Sequence, residues 1–223
     1  MKLTNILNIW NGQKKNNCHL YRDMENEFDD DTILEPRQRK PLGSIYQFIF
    51  LTTNPKLKDY PSRQKSLFMT TSHGGSGSED VFGRYQYECF LKKGINIGFA
   101  LEDFNYIFGR SNRDFDQCMW ESSIILINFY DKTKQTVQDI QKYFSQYYSG
   151  QSIENLSEYD KNRLESCLST ANRLWKEVES SGKVGHFVLN DFDQLKDYFS
   201  KKYELWTDSP CLIKKTKTHI PGQ

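Results

Sequence analysis

Three short stretches of this 223-residue chain carry side chains that could do chemistry together. "LYR" ends in Arg22, whose guanidinium is a planar donor fork suited to paired anionic oxygens. "SLFMTTS", residues 66 to 72, begins apolar and closes in three adjacent hydroxyls, Thr70, Thr71 and Ser72. "MWESSIIL" carries Glu121, a carboxylate of the kind that stabilises positive charge developing at a reacting carbon. The hydroxyl run leads into HGGSGSED, where glycines at 74, 75 and 77 let backbone approach a ligand closely. Each piece also has a plainer reading. Arg22 could end a surface strand and pair with the acidic run at 29 to 31. The hydroxyls could begin a turn, and Glu121 could be a strand-edge charge.

The pattern predicts elements to position these groups. "CHLYR", "SLFMTTS", "RYQYECFL" and "INIGFAL" read as strands. "MWESSIILINFY", 119 to 130, is a continuous β-branched and aromatic run and reads as the strongest, central strand. "GSIYQFIFLTTNP" reads as a helix capped by Ser44 and ending before Asn54-Pro55, with a strand as the alternative. The charged, proline-bearing stretch 25 to 41 reads as loop. Helical spacing then takes over at Val137, Ile140, Tyr143, Phe144 and Tyr147. It recurs at Leu164, Cys167, Leu168, Ala171, Leu174, Trp175 and Val178. A last helix is capped by Asn190 or Asp191, and the basic tail KKTKTHIPGQ reads as frayed. The fold class is α+β, with a β-rich core over 1–131 and a helical subdomain over 132–223.

Composition narrows the classes of function. Lys+Arg number 30 against Asp+Glu 29, so the whole chain has no electrostatic footprint for nucleic acid or a membrane. Five cysteines with no CxxC spacing read as reduced thiols. The four histidines are dispersed, so no metal is expected. No apolar run approaches a membrane span, no signal-peptide pattern opens the chain, and a cytoplasmic protein is expected.

Taken in order, "LYR", "FMTTS" and "ESSIIL" resemble the arginine–serine–glutamate signature of ADP-ribosyltransferases. Residues 18 to 130 carry the likeness. The resemblance implies a split mixed β-sheet holding NAD, as substrate, in a cleft. Arg22 would bind the diphosphate, and Thr70 (in the serine's place), Thr71 and Ser72 would shape the ribose site. Phe82 and Tyr85 or Tyr87 would stack on nicotinamide. Glu121 would stabilise the oxocarbenium-like state as nicotinamide leaves. Members that modify arginine usually carry a second glutamate two residues before the catalytic one. Met119 stands there, so the acceptor is open. Asp23 follows Arg22 where a glycine is frequent. The stretch from RQRKP through "SLFMTTS" to "DVFGRYQY" is also similar to small uncharacterised bacteriophage proteins. That implies a modified host macromolecule, protein or nucleic acid, in the host cytoplasm.

Two rival expectations stand beside this one. A non-catalytic phage-type inhibitor of a host defence or replication protein would bind through aromatics such as Tyr147, Tyr148 and Trp206. A nucleic-acid binder would use Arg37, Arg39 and Lys40, with Lys214, Lys215 and Lys217 in the tail.

Overall fold

The computed structural model describes residue 13 and residues 18–38, 45–71, 85–101, 113–133, 136–151, 155–199 and 203–216. The strands are β1 (Leu20–Met24), β2 (Thr32–Leu34), β3 (Arg37–Gln38), β4 (Lys65–Thr70), β5 (Tyr85–Phe90), β6 (Asn96–Leu101), β7 (Val184–Val188), β8 (Tyr203–Thr207) and β9 (Cys211–Lys215). The helices are α1 (Ile45–Thr53), α2 (Arg113–Tyr130), α3 (Val137–Tyr148) and α4 (Glu158–Ser180), with 3-10 turns at Pro55–Leu57 and Phe192–Tyr198. The fold is α+β. The strands join in the order β2-β9-β5-β1-β4-β8-β6-β7, with β3 also on β4. Every pairing among the described strands is antiparallel, so the mixed sheet implied by the resemblance is not what forms here.

This sheet cannot be flat. Strands β8 and β9 lie four ladder steps apart in the order, about 19 Å across a flat sheet. Residues 208–210 connect them, and the four Cα steps from Thr207 to Cys211 reach about 14 Å at most. The sheet must therefore fold back on itself. The junction that allows this is β1 with β4, joined at one register pair, Tyr21 with Thr70, whereas β1 pairs β5 over five. Two half-sheets result. Between them lies a core drawing Leu20, Tyr87, Cys89 and Ile213 from one half and Leu67, Met69, Ile97 and Leu205 from the other.

The helices pack on the outer face of the β4-β8-β6-β7 half. Their core joins Phe50 of α1, Phe115 and Leu126 of α2, Phe144 of α3 and Trp175 of α4 to Ala100, Val184 and Trp206 of the strands. Gly98 is required there: a Cβ would overlap the Trp206 indole.

Several expectations are corrected. The "central strand" 119–130 lies inside the eighteen-residue helix α2. Its buried positions include Phe115, Met119, Ser122, Ser123 and Leu126, spaced by three and four, while Trp120 and Ile124 face water. Ser122 and Ser123 donate to the carbonyls of Cys118 and Met119, so their hydroxyls cost the helix core little. The supposed loop 25 to 41 contains β2 and β3, and the supposed frayed tail contributes Lys214 and Lys215 to β9. Strands β7, β8 and β9 come from the stretch read as helical subdomain. Asp191 caps a 3-10 turn rather than an α-helix. The helices at 45–53 and 158–180 form where the spacing placed them; the Ser44 cap lies outside the described residues.

Candidate functional site

The split between β1 and β4 gathers the polar groups. Thr70 is the cross-strand partner of Tyr21 on one side and of Glu204 on the other. Tyr21 is in turn opposite Glu88. A row Glu88–Tyr21–Thr70–Glu204 therefore crosses β5, β1, β4 and β8 on one face, because alternate residues of paired strands share a face. Thr70 is 2% exposed, and Tyr21 is buried. Burial and the Glu88 carboxylate push the Tyr21 phenol above its ordinary pKa. His19 Nδ1 lies 2.6 Å from Glu88 Oε1. Arg63 Nη1 donates to Glu204 Oε1 at 2.9 Å, and its guanidinium carbon sits 4.4 Å over the Phe68 ring and 4.6 Å over Trp206. That stack explains how a cation is tolerated beside the helix-covered core.

Arg22 alternates to the opposite, inner side with Leu20 and Met24, close to Cys89. Its Nη1 crosses the split to donate to the Phe68 carbonyl at 2.6 Å. Its Nε is buried and has no hydrogen-bond partner. A buried orphan donor on a partly buried cation is costly, and a ligand anion is one way to satisfy it.

Glu121 is elsewhere. It projects from α2 toward α4, where Arg163 Nε and Nη2 hold Oε2 at 3.1 and 3.0 Å. Gln117 donates to Oε1 at 2.8 Å, and the Cys167 thiol lies 3.6 Å from Oε2. The bonds from Gln117 and Arg163 hold its carboxyl below the ordinary value. So Arg22 and Thr70 stand on the two strands that flank the split but on opposite faces of the sheet, and Glu121 lies near neither.

Comparison with family models, curated proteins and solved structures finds no match.

The other expected residues divide. Thr71 fastens β4 to β8, accepting from the Tyr203 amide at 3.1 Å. Tyr85 opens β5 and lies under the Lys215 ammonium. Ser72, Phe82 and the glycines 74 to 77 lie outside the described residues. Trp206 is fully buried, and Tyr147 and Tyr148 are half-buried against the helical core, so they do not form the expected aromatic surface. Arg37 is exposed on β3, while Arg39, Lys40 and Lys217 lie outside the described residues. Among the described residues no group of three metal-ligating side chains occurs, and no described helix is long and apolar enough to cross a membrane.

Sequence reasoning missed Glu204 and Arg63. The signal for Glu204 was present: "YELWT" alternates and ends in the turn residues Asp208, Ser209 and Pro210.

Proposed function

We propose that the chain binds NAD at the split between β1 and β4 and transfers ADP-ribose to a macromolecule, with Glu204 in the role first read for Glu121. The observation that carries this is Arg22, lodged in the split with a buried, unpartnered Nε. The remaining requirements of the resemblance stand beyond the split, on the other face of the sheet from Arg22. Thr70 stands on the facing strand, and Glu204 stands opposite Thr70 on the next. The arginine–hydroxyl–glutamate order along the sequence is kept.

The chemistry follows from the groups. The Arg22 fork meets the diphosphate from the floor of the split. As the nicotinamide–ribose bond breaks, positive charge builds on the ribose, and a Glu204 carboxylate bonded to the 2′-hydroxyl stabilises it. Arg63 orients that carboxylate through their 2.9 Å pair. Lys202 stands two residues before Glu204, so a second glutamate is absent in this assignment too. The likeness to phage proteins adds a host macromolecule as the acceptor.

Calorimetry with NAD, alongside nicotinamide release, tests this. Wild type should bind, Arg22→Ala should lose binding, and Glu204→Gln should keep binding but lose release by about a hundredfold or more. Glu121→Gln should match wild type in both. No heat from wild type at millimolar NAD, or release that survives in Glu204→Gln, would end the proposal.

A second reading rests on the outer face of α2 and α4. Trp120, Ile124 and Tyr159 are exposed there, 44, 38 and 70%, around the Glu121–Arg163 pair. Trp, Tyr and Arg are the residue types that anchor protein interfaces. In this reading the chain acts by docking on a protein. Trp120→Ala with Tyr159→Ala should abolish capture of that partner while leaving NAD binding unchanged.

A further inference from the structure

A cavity of about 460 Å³ lies between the 3-10 turn Pro55–Leu57 and the outer face of α4. It is lined by Lys56, Ser169, Asn172, Arg173, Lys176 and Ser180, with Glu177 also on its wall. These belong to different elements from Arg22, Thr70 and Glu204.

The site is built from local sequence. Asn54 caps the turn, its Oδ1 accepting from the Lys56 amide at 3.0 Å. Asn54 itself is buried, and its Nδ2 donates to Asn172 Oδ1 at 2.9 Å. Asn172 is fixed in turn by donating to the Leu168 carbonyl at 2.8 Å. The two asparagines thus pin the turn against α4 and set Lys56 across from the helix. On α4, positions 169, 172, 173, 176 and 180 recur at three and four, so their side chains form one stripe facing Lys56. Lys56, Arg173 and Lys176 bring three positive charges. Glu177 removes one, and it already holds Arg173 at 2.5 Å. The lining is cationic in a chain whose total charge is near neutral.

We infer that this groove is a binding site for a phosphate-bearing ligand. Two ammonium groups supply mobile point charges, and the guanidinium supplies a planar fork. Two serine hydroxyls supply further donors, a set that matches the several acceptor oxygens of a phosphate. The volume suits a group of nucleotide size. The phosphate can belong to a small molecule or to a nucleic-acid backbone, and both present the same oxygens.

The test titrates the full chain with inorganic pyrophosphate and, separately, with a short oligothymidylate, at low and moderate salt. The variant is Lys56→Gln with Lys176→Gln; both side chains are exposed, and its melting temperature checks the fold. Arg22→Ala serves as the control, since the sheet split also offers a cation. Binding at the groove should weaken about tenfold in the double variant and fall with salt more gently than in wild type, while Arg22→Ala should remove only the share of anion binding that belongs to the split. Pyrophosphate binding that responds this way identifies a small-molecule phosphate site; a response with oligothymidylate alone identifies a backbone site. No saturable binding of either ligand, or binding indifferent to the double substitution, overturns the inference. Loss in Arg22→Ala but not in the double variant would assign the anion to the split instead.

Discussion

Glu204 faces Thr70 directly across the β4–β8 ladder, and the carboxylate beyond that contact is held by Arg63. The pair is only 13 and 15% exposed at its side chains, and Arg63 is stacked over Phe68 and Trp206. Glu204→Gln therefore strands a poorly solvated cation. A loss of about 1–3 kcal/mol is expected in urea unfolding. Combining it with Arg63→Leu should recover part of that loss, because the stranded charge is then gone. If the double variant is as unstable as the sum of the singles, the two residues are not coupled.

Glu121 and Arg163 should behave differently. The folded carboxyl titrates below its ordinary value of 4.5. Its stabilising contribution is therefore complete above that value and disappears as pH falls through the lower folded one. Glu121→Gln should melt lower than wild type at pH 6 by at most about 3 °C. The two melting curves should converge as the pH approaches 3. A gap that persists undiminished into acid would show that the ion pair is not its source.

Gly98 tests the packing of the helix-covered face. A methyl group there meets the buried Trp206 indole, which is hemmed in by Tyr60, Phe68 and Arg63. Gly98→Ala should cost about 2–3 kcal/mol with an unchanged denaturant slope. A variant as stable as wild type would mean the indole has room to move.

The cysteines give a readout of the α2–α4 contact. Cys18, Cys89, Cys167 and Cys211 are buried, and Cys118 is partly exposed. Cys118 should thus be the first thiol alkylated in the folded protein. Burial pushes its thiol up, the Cys167 neighbour pulls it down, and Glu121 pushes it up again. Cys167 is pushed up to about 11 by burial, with Cys118 and Glu121 adding to it. Alkylation of Cys118 at pH 8 should be slower than for a free thiol, and faster in Glu121→Gln. Equal rates in the two proteins would remove Glu121 from the thiols' surroundings.

The legible parts of the fold are those where one periodicity dominates. Leu164, Cys167, Leu168, Ala171, Leu174 and Trp175 mark α4 without ambiguity, and all six are buried. The run from Met119 to Tyr130 has no such contrast. Helix α2 is buried on so broad an arc that Ile125, Leu126 and Ile127 are all inside. Composition then favours a strand, while the acidic first turn, Asp114 and Asp116, was the better indicator. Arg22, at the centre of β1, and Thr70, at the end of β4, were identifiable because each sits in a short strand whose apolar residues mark it locally. Glu204 was hidden because its strand is five residues long and pairs with partners more than a hundred positions away. The alternation of "YELWT" marks the strand but not the strands it pairs with.

Strand β9 sits between β2 and β5, and its Ile213 pairs with Thr32, about 180 positions earlier. A chain emerging from the ribosome has made β1, β2, β4 and β5 long before residues 211–215 exist. Until then β2 lacks the neighbour it pairs with, and one edge of β5 stays open to any other extended chain. Folding of this half consequently waits for β9, is slow for its size, and is open to edge-to-edge association in the interval.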